Sequence, residues 1–428
     1  MTARPAPRIR TALAAATAVA ALTAAALVTP ATASAAEQRT PDRHGATQRA
    51  LEQAVEAGSP GALAQATDRY AAWDGEAGVA DRTTGRERGP ADGFRVGSIT
   101  KTFVATVILQ LEAEGRLSLD DTVERWLPGL VRGNGHDGRT VTLRRLLNHT
   151  SGIHEYTDDK EFAGKVFGGF FEHRYDTWAP RDLVRIAMGH APYFAPGGGW
   201  HYSNTNYVLA GLVVEKVTGR PYGREVERRV LRPLGLRATS VPGTRAAMPR
   251  PSGRAYSVLV GPEPGTAIHD VTELNPSAAW AAGEMISTTG DLNRFYRALL
   301  GGRLLPRGQL KKMTTTVPVG AEAPNHRYGL GLMSQRLSCG KEVWGHSGGI
   351  HGSSSEAVST RDGGRALALN FNSDWAGDST AVVEAEFCGR SAPGRTHGAP
   401  GRDSAGPDGA GRAGQRRADT PQRGSTTT

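Results

Sequence analysis

The sequence predicts an α+β protein in which an antiparallel sheet is flanked by helices. Residues 98–114 carry apolar side chains at helical spacing and are followed by a glycine, as expected for an amphipathic helix. Residues 121–276 combine helical patterns with proline- and glycine-rich loops. From residue 328 onward, short apolar runs are separated by Gly and Asp turns, which indicates antiparallel strands.

The individual elements follow from these patterns. We expect an opening strand at 70–79, a helix at 206–218 that ends before a glycine and a proline, and a final helix at 379–387 that packs on the sheet. The late strands are predicted at 328–337, 341–346, 354–359 and 365–370.

The two ends of the chain differ from the rest in composition. Residues 1–36 hold three arginines, a long apolar run and the small-residue site Ala33-Ser34-Ala35, which is the pattern of a cleaved signal peptide; a retained signal anchor is the alternative. Residues 389–428 have alanine as their only apolar side chain, so we expect a disordered tail. A secreted, extracellular folded domain is therefore expected at 37–388.

Most of the formal net charge of +9 lies in these two ends of the 428-residue chain. They carry +3 and +4, which leaves about +2 for residues 37–388, where all 27 aromatic residues lie. A nucleic-acid-binding protein needs a basic face on its folded part, so we expect no nucleic-acid partner. No later run is long enough to span a bilayer, so we expect no stable membrane anchor in the mature protein.

The chain has two cysteines, Cys339 and Cys388. In an oxidising compartment we expect them to pair, and the bridge would stabilise the fold by about 4 kcal/mol on a loop-entropy estimate. Two buried free thiols are the alternative.

The first candidate catalytic motif is Ser98-Ile99-Thr100-Lys101, at the start of the first predicted helix. The spacing places the Ser98 hydroxyl and the Lys101 amine on one helix face, about one turn apart. A lysine that is desolvated near the positive end of a helix dipole shifts towards its neutral form and can accept the serine proton. A second Ser-x-x-Lys, at 338–341, lies in a turn between predicted strands, so its context favours the first.

Two further motifs carry polar groups suited to the same chemistry. Tyr202-Ser203-Asn204 precedes a predicted helix; its phenol can transfer a proton and its amide can hold a substrate, with a buried ring and a helix cap as the structural alternative. His346-Ser347-Gly348-Gly349 ends a predicted strand, where glycines let a ligand approach the sheet edge, with a plain hairpin turn as the alternative.

In this order and spacing, the three motifs resemble the active-site set of the penicillin-recognising serine hydrolases, in the form typical of class C β-lactamase-like enzymes. Within that superfamily, the chain resembles the secreted D-alanyl-D-alanine carboxypeptidases of actinobacteria. The resemblance runs from about residue 45 to Cys388 and includes the segments Leu146-Leu147-Asn148-His149-Thr150-Ser151-Gly152, Tyr202-Ser203-Asn204-Thr205-Asn206, Tyr328-Gly329-Leu330-Gly331-Leu332 and Leu337-Ser338-Cys339-Gly340.

This resemblance implies a β-lactamase/transpeptidase-like fold. An antiparallel sheet from both chain ends, flanked by helices, would form one lobe, and the mostly helical residues 121–276 would be inserted as the other. The active site would lie in the cleft between the lobes. The family also carries a signal peptide, a C-terminal extension and a disulfide at the positions of Cys339 and Cys388.

Carried over by position, the resemblance implies that Ser98 is the acylated nucleophile and Lys101 its activating partner. Tyr202 would pass the proton to the leaving group, and Asn204 would bind the substrate amide. Either Lys101 or Tyr202 can be the base in acylation, and the two can titrate as a unit.

The third motif completes the implied site. His346, Ser347 and Gly348 would edge the cleft, and the oxyanion would sit between the N–H groups of Ser98 and Gly349. Trp280 matches an aromatic residue on the cleft wall. No cofactor or metal is implied.

Two departures from the carboxypeptidase pattern concern substrate selection. The carboxypeptidases bind the terminal carboxylate of the substrate with an arginine whose position corresponds here to Met333, and strand alternation puts the nearby Arg336 on the opposite face. The third motif has Ser347 and Gly349 where threonines are usual, which removes hydroxyl donors.

Two rival chemistries fit the sequence less well. Residues 345–349 match the Gly-x-Ser-x-Gly elbow of α/β-hydrolases, but little helix character follows, and His351 and His397 are the later histidines. Metal-dependent hydrolysis lacks a His-Glu-x-x-His motif, and His149 and His154 have no obvious third ligand.

We therefore predict a secreted serine-type D-alanyl-D-alanine carboxypeptidase, expected to be a monomer. It would act through a Ser98 acyl-enzyme on peptidoglycan stem peptides or related small acyl substrates, with β-lactams as covalent inhibitors. A same-fold esterase or β-lactamase, and a β-lactam- or muropeptide-binding protein without turnover, are the alternatives.

Overall fold

The computed structural model describes residues 43–259, 266–321 and 323–389. The expected signal peptide at 1–36, and the expected tail apart from Gly389, lie outside the described residues.

The main sheet has eight antiparallel strands within these ranges, in the order β2-β1-β14-β13-β12-β11-β10-β9. It unites residues 61–78 with residues 317–371, so both ends of the folded chain build it. The strands, including six short ones that pair outside this sheet, are β1 (Gly61–Thr67), β2 (Ala72–Gly78), β3 (Phe94–Arg95), β4 (Arg132–Gly133), β5 (His136–Asp137), β6 (Tyr256–Ser257), β7 (His269–Asp270), β8 (Ile286–Ser287), β9 (Val317–Pro318), β10 (His326–Tyr328), β11 (Met333–Arg336), β12 (Glu342–Ile350), β13 (Ser353–Ser359) and β14 (Ala366–Phe371).

Helices precede, follow and connect these strands. The α-helices are α1 (Gly45–Glu56), α2 (Thr100–Ala113), α3 (Val123–Trp126), α4 (Leu143–Leu147), α5 (Lys160–Ala163), α6 (Phe170–His173), α7 (Pro180–Met188), α8 (Asn204–Thr218), α9 (Tyr222–Val226), α10 (Arg232–Leu234), α11 (Thr289–Leu300), α12 (Arg307–Met313) and α13 (Ser379–Cys388). The 3-10 helices are Gly97–Ile99, Tyr156–Asp158, Pro276–Ala278 and Trp280–Ala282, and the π-helices are Gly164–Gly168 and Glu227–Leu231.

Both faces of the sheet are covered by helices. The larger core cluster contains α2, α8 and α11, where the rings of Phe103 and Phe295 stack with centroids 3.7 Å apart. A second cluster joins α1 and α13 to the other face, through residues such as Leu51 and Val382. Every residue of β14 is buried, as expected of a central strand with helices on both sides.

The predicted fold class is confirmed, with three differences in the strands. The single strand expected at 328–337 is a hairpin, in which β10 ends at Tyr328, β11 begins at Met333, and the turn between them contains Gly331 at φ +67°. β12 continues to Ile350, four residues beyond its predicted end, so the third motif lies within the strand. β1, of sequence Gly-Ala-Leu-Ala-Gln-Ala-Thr, was not predicted because glycine and alanine have weak strand propensity; burial against β14 and β2 explains why it forms a strand.

A disulfide joins Cys339 and Cys388, which ties the turn before β12 to the last residue of α13. This is the expected pairing. Among the described residues, no helix combines the length and the apolar character needed to cross a membrane.

Candidate active site

Ser98 lies in the 3-10 turn Gly97–Ile99, directly before α2. The turn is possible because Gly97 has φ +51°, a conformation that residues with a Cβ adopt only with strain. Ser98 is half-buried, whereas Gly97 and Ile99 are buried. The serine hydroxyl is thus held at the positive end of α2 while its neighbours anchor the turn in the core.

Lys101 is fully buried in the first turn of α2, and its Nζ lies close to three oxygen atoms. The distances are 2.8 Å to Ser98 Oγ, 2.7 Å to Asn204 Oδ1 and 2.8 Å to the carbonyl oxygen of Ala282. The two carbonyl-type oxygens can only accept, so each receives an N–H from the amine. The third contact joins Nζ to Ser98 Oγ, and in its uncharged form the amine can accept the serine proton there.

Tyr202 and Asn204 flank the start of α8, and Ser203 is its N-cap residue. The Tyr202 side chain is buried, and its ring centroid lies 4.8 Å from Lys101 Nζ. Residues 202 and 204 therefore reach the same lysine from one loop-to-helix junction. The structure places all four of Ser98, Lys101, Tyr202 and Asn204 in one cluster.

His149 packs against Tyr202. The sequence did not identify it as part of the site. The two rings stack with centroids 4.3 Å apart. His149 Nδ1 accepts the backbone N–H of Ser203 at 3.0 Å, and burial, followed by the nearby charge of Lys101, lowers the pKa of His149 well below its usual value. An uncharged imidazole is therefore packed behind the phenol.

The third motif on β12 lies against the turn that carries Ser98. A Cβ added to Gly348 would stand 2.0 Å from the Val96 carbonyl oxygen and 3.1 Å from Ser98 N. A Cβ on Gly97 would stand 2.7 Å from Gly349 N. Only glycines permit this approach, which brings the backbone of residues 97–98 against that of residues 348–349.

His346 is buried within β12, and both of its ring nitrogens are hydrogen-bonded. Since the Ser347 carbonyl, at 2.6 Å, can only accept, Nδ1 carries the proton and Nε2 accepts from the Tyr328 hydroxyl at 2.8 Å. Burial, with a smaller contribution from Lys101, lowers the pKa of His346 to about 3. This histidine is therefore neutral at physiological pH and adds no positive charge to the cleft.

Glu155 contributes a buried carboxyl group at the site. It was not identified from the sequence, although it lies three residues after the segment 146–152 that carries part of the family resemblance. It accepts the backbone N–H of Asn204 in a short hydrogen bond and that of Thr157 at 3.0 Å. Burial raises the pKa of Glu155 to about 7, in spite of these hydrogen bonds and the attraction of Lys101. The site thus contains an acid whose charge changes near neutral pH.

Met333 and Trp280 differ in their relation to the cluster. Met333 is half-buried on β11 opposite Gly345 and packs against the side-chain cluster that includes Tyr202 and Tyr328. Trp280 packs its ring edge-on against Tyr222, with centroids 4.8 Å apart, and covers Gly211 on α8. The cavity that Trp280 lines includes none of the four clustered residues in its walls, so this placement gives no support to its predicted role in substrate binding.

The second Ser-x-x-Lys is held in structural contacts. Ser338 Oγ donates to Glu384 at 2.7 Å, and Lys341 Nζ donates to the carbonyl oxygen of Phe387 at 2.5 Å. Ser347, the serine of the rival elbow motif, lies in mid-strand opposite Glu356 instead of at a strand-to-helix turn.

A family model described as Beta-lactamase matches residues 47–383 of the chain. The chain belongs to the beta-lactamase family. Together with the Ser98–Lys101 pair, this membership makes it a serine hydrolase of that family.

A penicillin-binding protein is similar in sequence to this beta-lactamase-family chain. The chain is 30% identical over 305 residues to penicillin-binding protein 4* of Bacillus subtilis, which covers 69% of the chain and 64% of the relative. The chain thus spans less than two thirds of that relative's length.

Two solved structures resemble it over most of its length. A D-stereospecific amidohydrolase from Streptomyces sp. is 64% identical with a TM-score of 0.78, and the match covers 81% of this chain and 99% of that one. A D-amino acid amidase from Ochrobactrum anthropi, solved with L-phenylalanine amide, is 30% identical with a TM-score of 0.68 and coverages of 80% and 96%.

Proposed function

We propose that the protein is a D-stereospecific amidohydrolase that cleaves D-aminoacyl amides through an acyl-enzyme on Ser98. The observation that carries this proposal is the 64% identity, over 99% of its length, to an amidohydrolase with that stereospecificity. The preference for the D-configuration rests on that likeness. The preferences for a neutral leaving group and for a free amino group on the substrate are inferred from residues of this chain.

The cleft favours a neutral leaving group. The predicted carboxypeptidase activity requires a substrate that ends in a carboxylate, and such a substrate needs a cationic partner in the cleft. Here the half-buried Met333 stands at the corresponding strand position, and His346 is neutral because of its burial. The leaving group of a simple amide is neutral and needs no cationic partner. Met333 and the neutral His346 therefore support amidase activity over release of a terminal D-alanine.

Glu155 supports a substrate with a free amino group. Its carboxylate lies beside the first residue of α8, Asn204, which the family resemblance assigns to binding of the substrate amide. An α-ammonium group bound there would find a buried negative charge, and a buried charge pair with hydrogen bonds is strong and specific.

The proposed reaction proceeds in two steps. In acylation, Ser98 Oγ attacks the amide carbon while its proton passes to the Lys101–Tyr202 pair, and the carbonyl oxygen takes up negative charge facing the N–H groups of Ser98 and Gly349. The C–N bond then breaks as Tyr202 returns a proton to the nitrogen, which releases ammonia or an amine. In deacylation, water attacks the ester and gives a proton to the same pair, which passes it to Ser98 Oγ as the C–O bond breaks and the D-amino acid leaves.

The decisive experiment offers the mature protein D-phenylalanine amide, L-phenylalanine amide and an acyl-D-Ala-D-Ala peptide. We expect ammonia release from the D-amide to exceed that from the L-amide by about 100-fold or more, and no turnover by Ser98→Ala. Faster D-alanine release from the peptide would favour the carboxypeptidase instead. Faster hydrolysis of the L-amide, or activity that survives Ser98→Ala, would refute the proposal.

A fluorescent penicillin tests the nucleophile separately. We expect covalent labelling of the wild type and none of Ser98→Ala. Labelling without turnover of any of the three substrates would identify a binding protein.

We also propose that the protein is exported. The signal-peptide pattern at 1–36 and the Cys339–Cys388 disulfide support this, because structural disulfides persist in oxidising compartments. A mature N-terminus near residue 36 on protein recovered from culture medium is the expected result; a cell-bound, uncleaved chain would contradict it.

A further inference from the structure

Two arginines, Arg88 and Arg95, are almost completely buried, with 3% and 2% of their surfaces exposed. Both line one small cavity between the main sheet and the loops near residues 248–255 and 272. Burial lowers the pKa of each guanidinium to about 10, so both remain charged at neutral pH. A buried charge costs several kcal/mol unless it is paired and hydrogen-bonded.

Neither guanidinium is satisfied by the protein. Arg88 donates through Nη2 to Asn370 Oδ1 at 2.8 Å, and Arg95 donates through Nη2 to the carbonyl oxygens of Ala246 and Leu274 at 2.7 and 3.0 Å. Within the described residues, the Nε and Nη1 atoms of both arginines are buried without a hydrogen-bond partner. Four donors on two side chains are therefore left unpaired beside one cavity.

The carboxylates nearby do not balance the charge. Asp92 Oδ2 lies 4.0 Å from Arg88 Nε, but this aspartate also pairs with Arg86 at 3.0 Å. Arg95 has no ion-pair partner among the described side chains, and the acid that acts on it from a distance, Glu284, has its pKa raised to about 7 by burial. Water molecules could satisfy the unpaired N–H groups, but only an anion offsets the charge.

We propose that this cavity binds a small monovalent inorganic anion of the size of a halide, held by the unpaired N–H groups of Arg88 and Arg95. The cavity volume of about 20 Å³ has room for one particle of the size of a water molecule, which matches a halide ion. Asn370 and Asn372 line the same cavity, but their Nδ2 groups donate to protein oxygens, so the two arginines supply the donors for the anion.

Bound there, the anion stabilises the strand that leads to the nucleophile. Arg95 belongs to β3, three residues before Ser98, and pairs with Ile286 on β8. Its carbonyl oxygen accepts the hydroxyl of Ser353 at 2.7 Å, which ties β3 to the start of β13. Neutralising the Arg95 side chain therefore stabilises a junction of three strands behind the active site.

Bromide is the probe, because it matches chloride in charge and nearly in size and scatters anomalously. We expect crystals of the mature protein soaked in sodium bromide to show one anomalous peak in the cavity, in contact with both guanidinium groups. In solution, the Tm should rise by about 2 °C when sodium gluconate is replaced by sodium chloride at equal concentration.

Gly253→Ala provides a variant that keeps both charges. A Cβ at this position would stand 3.6 Å from Arg88 Nη1, so the methyl group reduces the cavity without a backbone clash. The chloride-dependent rise in Tm should disappear in Gly253→Ala and persist in the control Gly308→Ala, where an added Cβ contacts nothing within 4 Å. The absence of a bromide peak in the cavity, or a Tm that is the same in both salts for the wild type, would overturn the proposal.

Discussion

The amine of Lys101 is oriented by the backbone carbonyl of Ala282, which lies 2.8 Å from Nζ. Ala282 ends the 3-10 turn Trp280–Ala282, whose first residue has φ +39°, a rare conformation for a bulky side chain. A carbonyl only accepts hydrogen bonds, so it fixes one N–H of the lysine and directs the rest of the amine towards Ser98. The turn thus helps to hold the lysine amine beside Ser98.

Lys101→Met should lower kcat for the D-amide by about 10³-fold, because methionine fills the buried space but cannot move a proton. Lys341→Met is the matched control, since Lys341 belongs to the second Ser-x-x-Lys and donates to Phe387. Stopped-flow or end-point ammonia assays on both variants make the comparison. A similar loss in the two would mean that the lysine at 101 acts through stability alone.

Gly348→Ala should lower kcat by about 100-fold or more, since one oxyanion donor is worth that much. The added Cβ would meet the Val96 carbonyl at 2.0 Å and push β12 away from the Ser98 turn. The rate of labelling by fluorescent penicillin measures the same defect in acylation. Gly308→Ala is the control and should be labelled at the wild-type rate. Equally fast labelling of Gly348→Ala would show that β12 and the Ser98 turn do not form the oxyanion site together.

The sequence predicted the parts of the site that are local in the chain. A serine and a lysine three residues apart at a helix start, and a tyrosine and an asparagine at the start of a second helix, lie near each other because of local helix geometry. The same reasoning explains why the fold class and most late strands were predictable, since their apolar alternation continues over several residues.

Other parts of the site depend on contacts between distant segments, which periodicity does not reveal. Glu155 bonds to a residue 49 positions away, and Ala282 meets Lys101 across 181 positions. His149 stacks on Tyr202 because it adopts φ +61°, which few non-glycine residues do. The position of Trp280 on the cleft wall stays a prediction from the family resemblance; in the structure its ring packs over Gly211.

Glu155→Gln should raise KM for D-phenylalanine amide by about 10-fold or more while leaving kinetics on an N-acetylated D-phenylalanine ester nearly unchanged. A carboxylate that binds the α-ammonium group matters only for the first substrate. Loss of both activities in equal measure would show that Glu155 merely positions Asn204.

The pH dependence of KM for the D-amide is a second test of the role of Glu155. With a pKa of about 7, Glu155 is ionised above neutral pH and protonated below it. In the wild type, KM for the D-amide should therefore fall as the pH rises from about 5.5 to 7, where the α-ammonium group of the substrate is still largely protonated, and Glu155→Gln should lose this dependence. A KM that is independent of pH in the wild type would contradict the assignment.

Met333→Arg should shift the preference from amides towards peptides that end in a carboxylate. Met333 lies on β11 opposite Gly345, next to the cluster of Tyr202 and Tyr328, so a guanidinium placed there can reach the cleft. We expect kcat/KM for an acyl-D-Ala-D-Ala peptide to rise by about 10-fold relative to D-phenylalanine amide. Arg336 is exposed further along the same strand, and Arg336→Met serves as the control that should change neither ratio. An unchanged ratio in Met333→Arg would show that leaving-group selection is set elsewhere.

Glu284 makes the stability of the fold depend on pH. Its side chain is fully buried, accepts a short hydrogen bond from the Tyr222 hydroxyl, and has its pKa raised to about 7 mainly by burial. Between the ordinary glutamate pKa and 7, the folded state therefore holds a proton that the unfolded state has lost, so stability falls as the pH rises through this window. From pH 5 to 8 this group alone should lower the free energy of unfolding by about 3 kcal/mol. Glu284→Gln should remove that part of the decline, whereas the exposed Glu56→Gln should retain it. Urea unfolding at both pH values measures the difference, and parallel curves for wild type and Glu284→Gln would mean that this carboxyl group is ionised throughout.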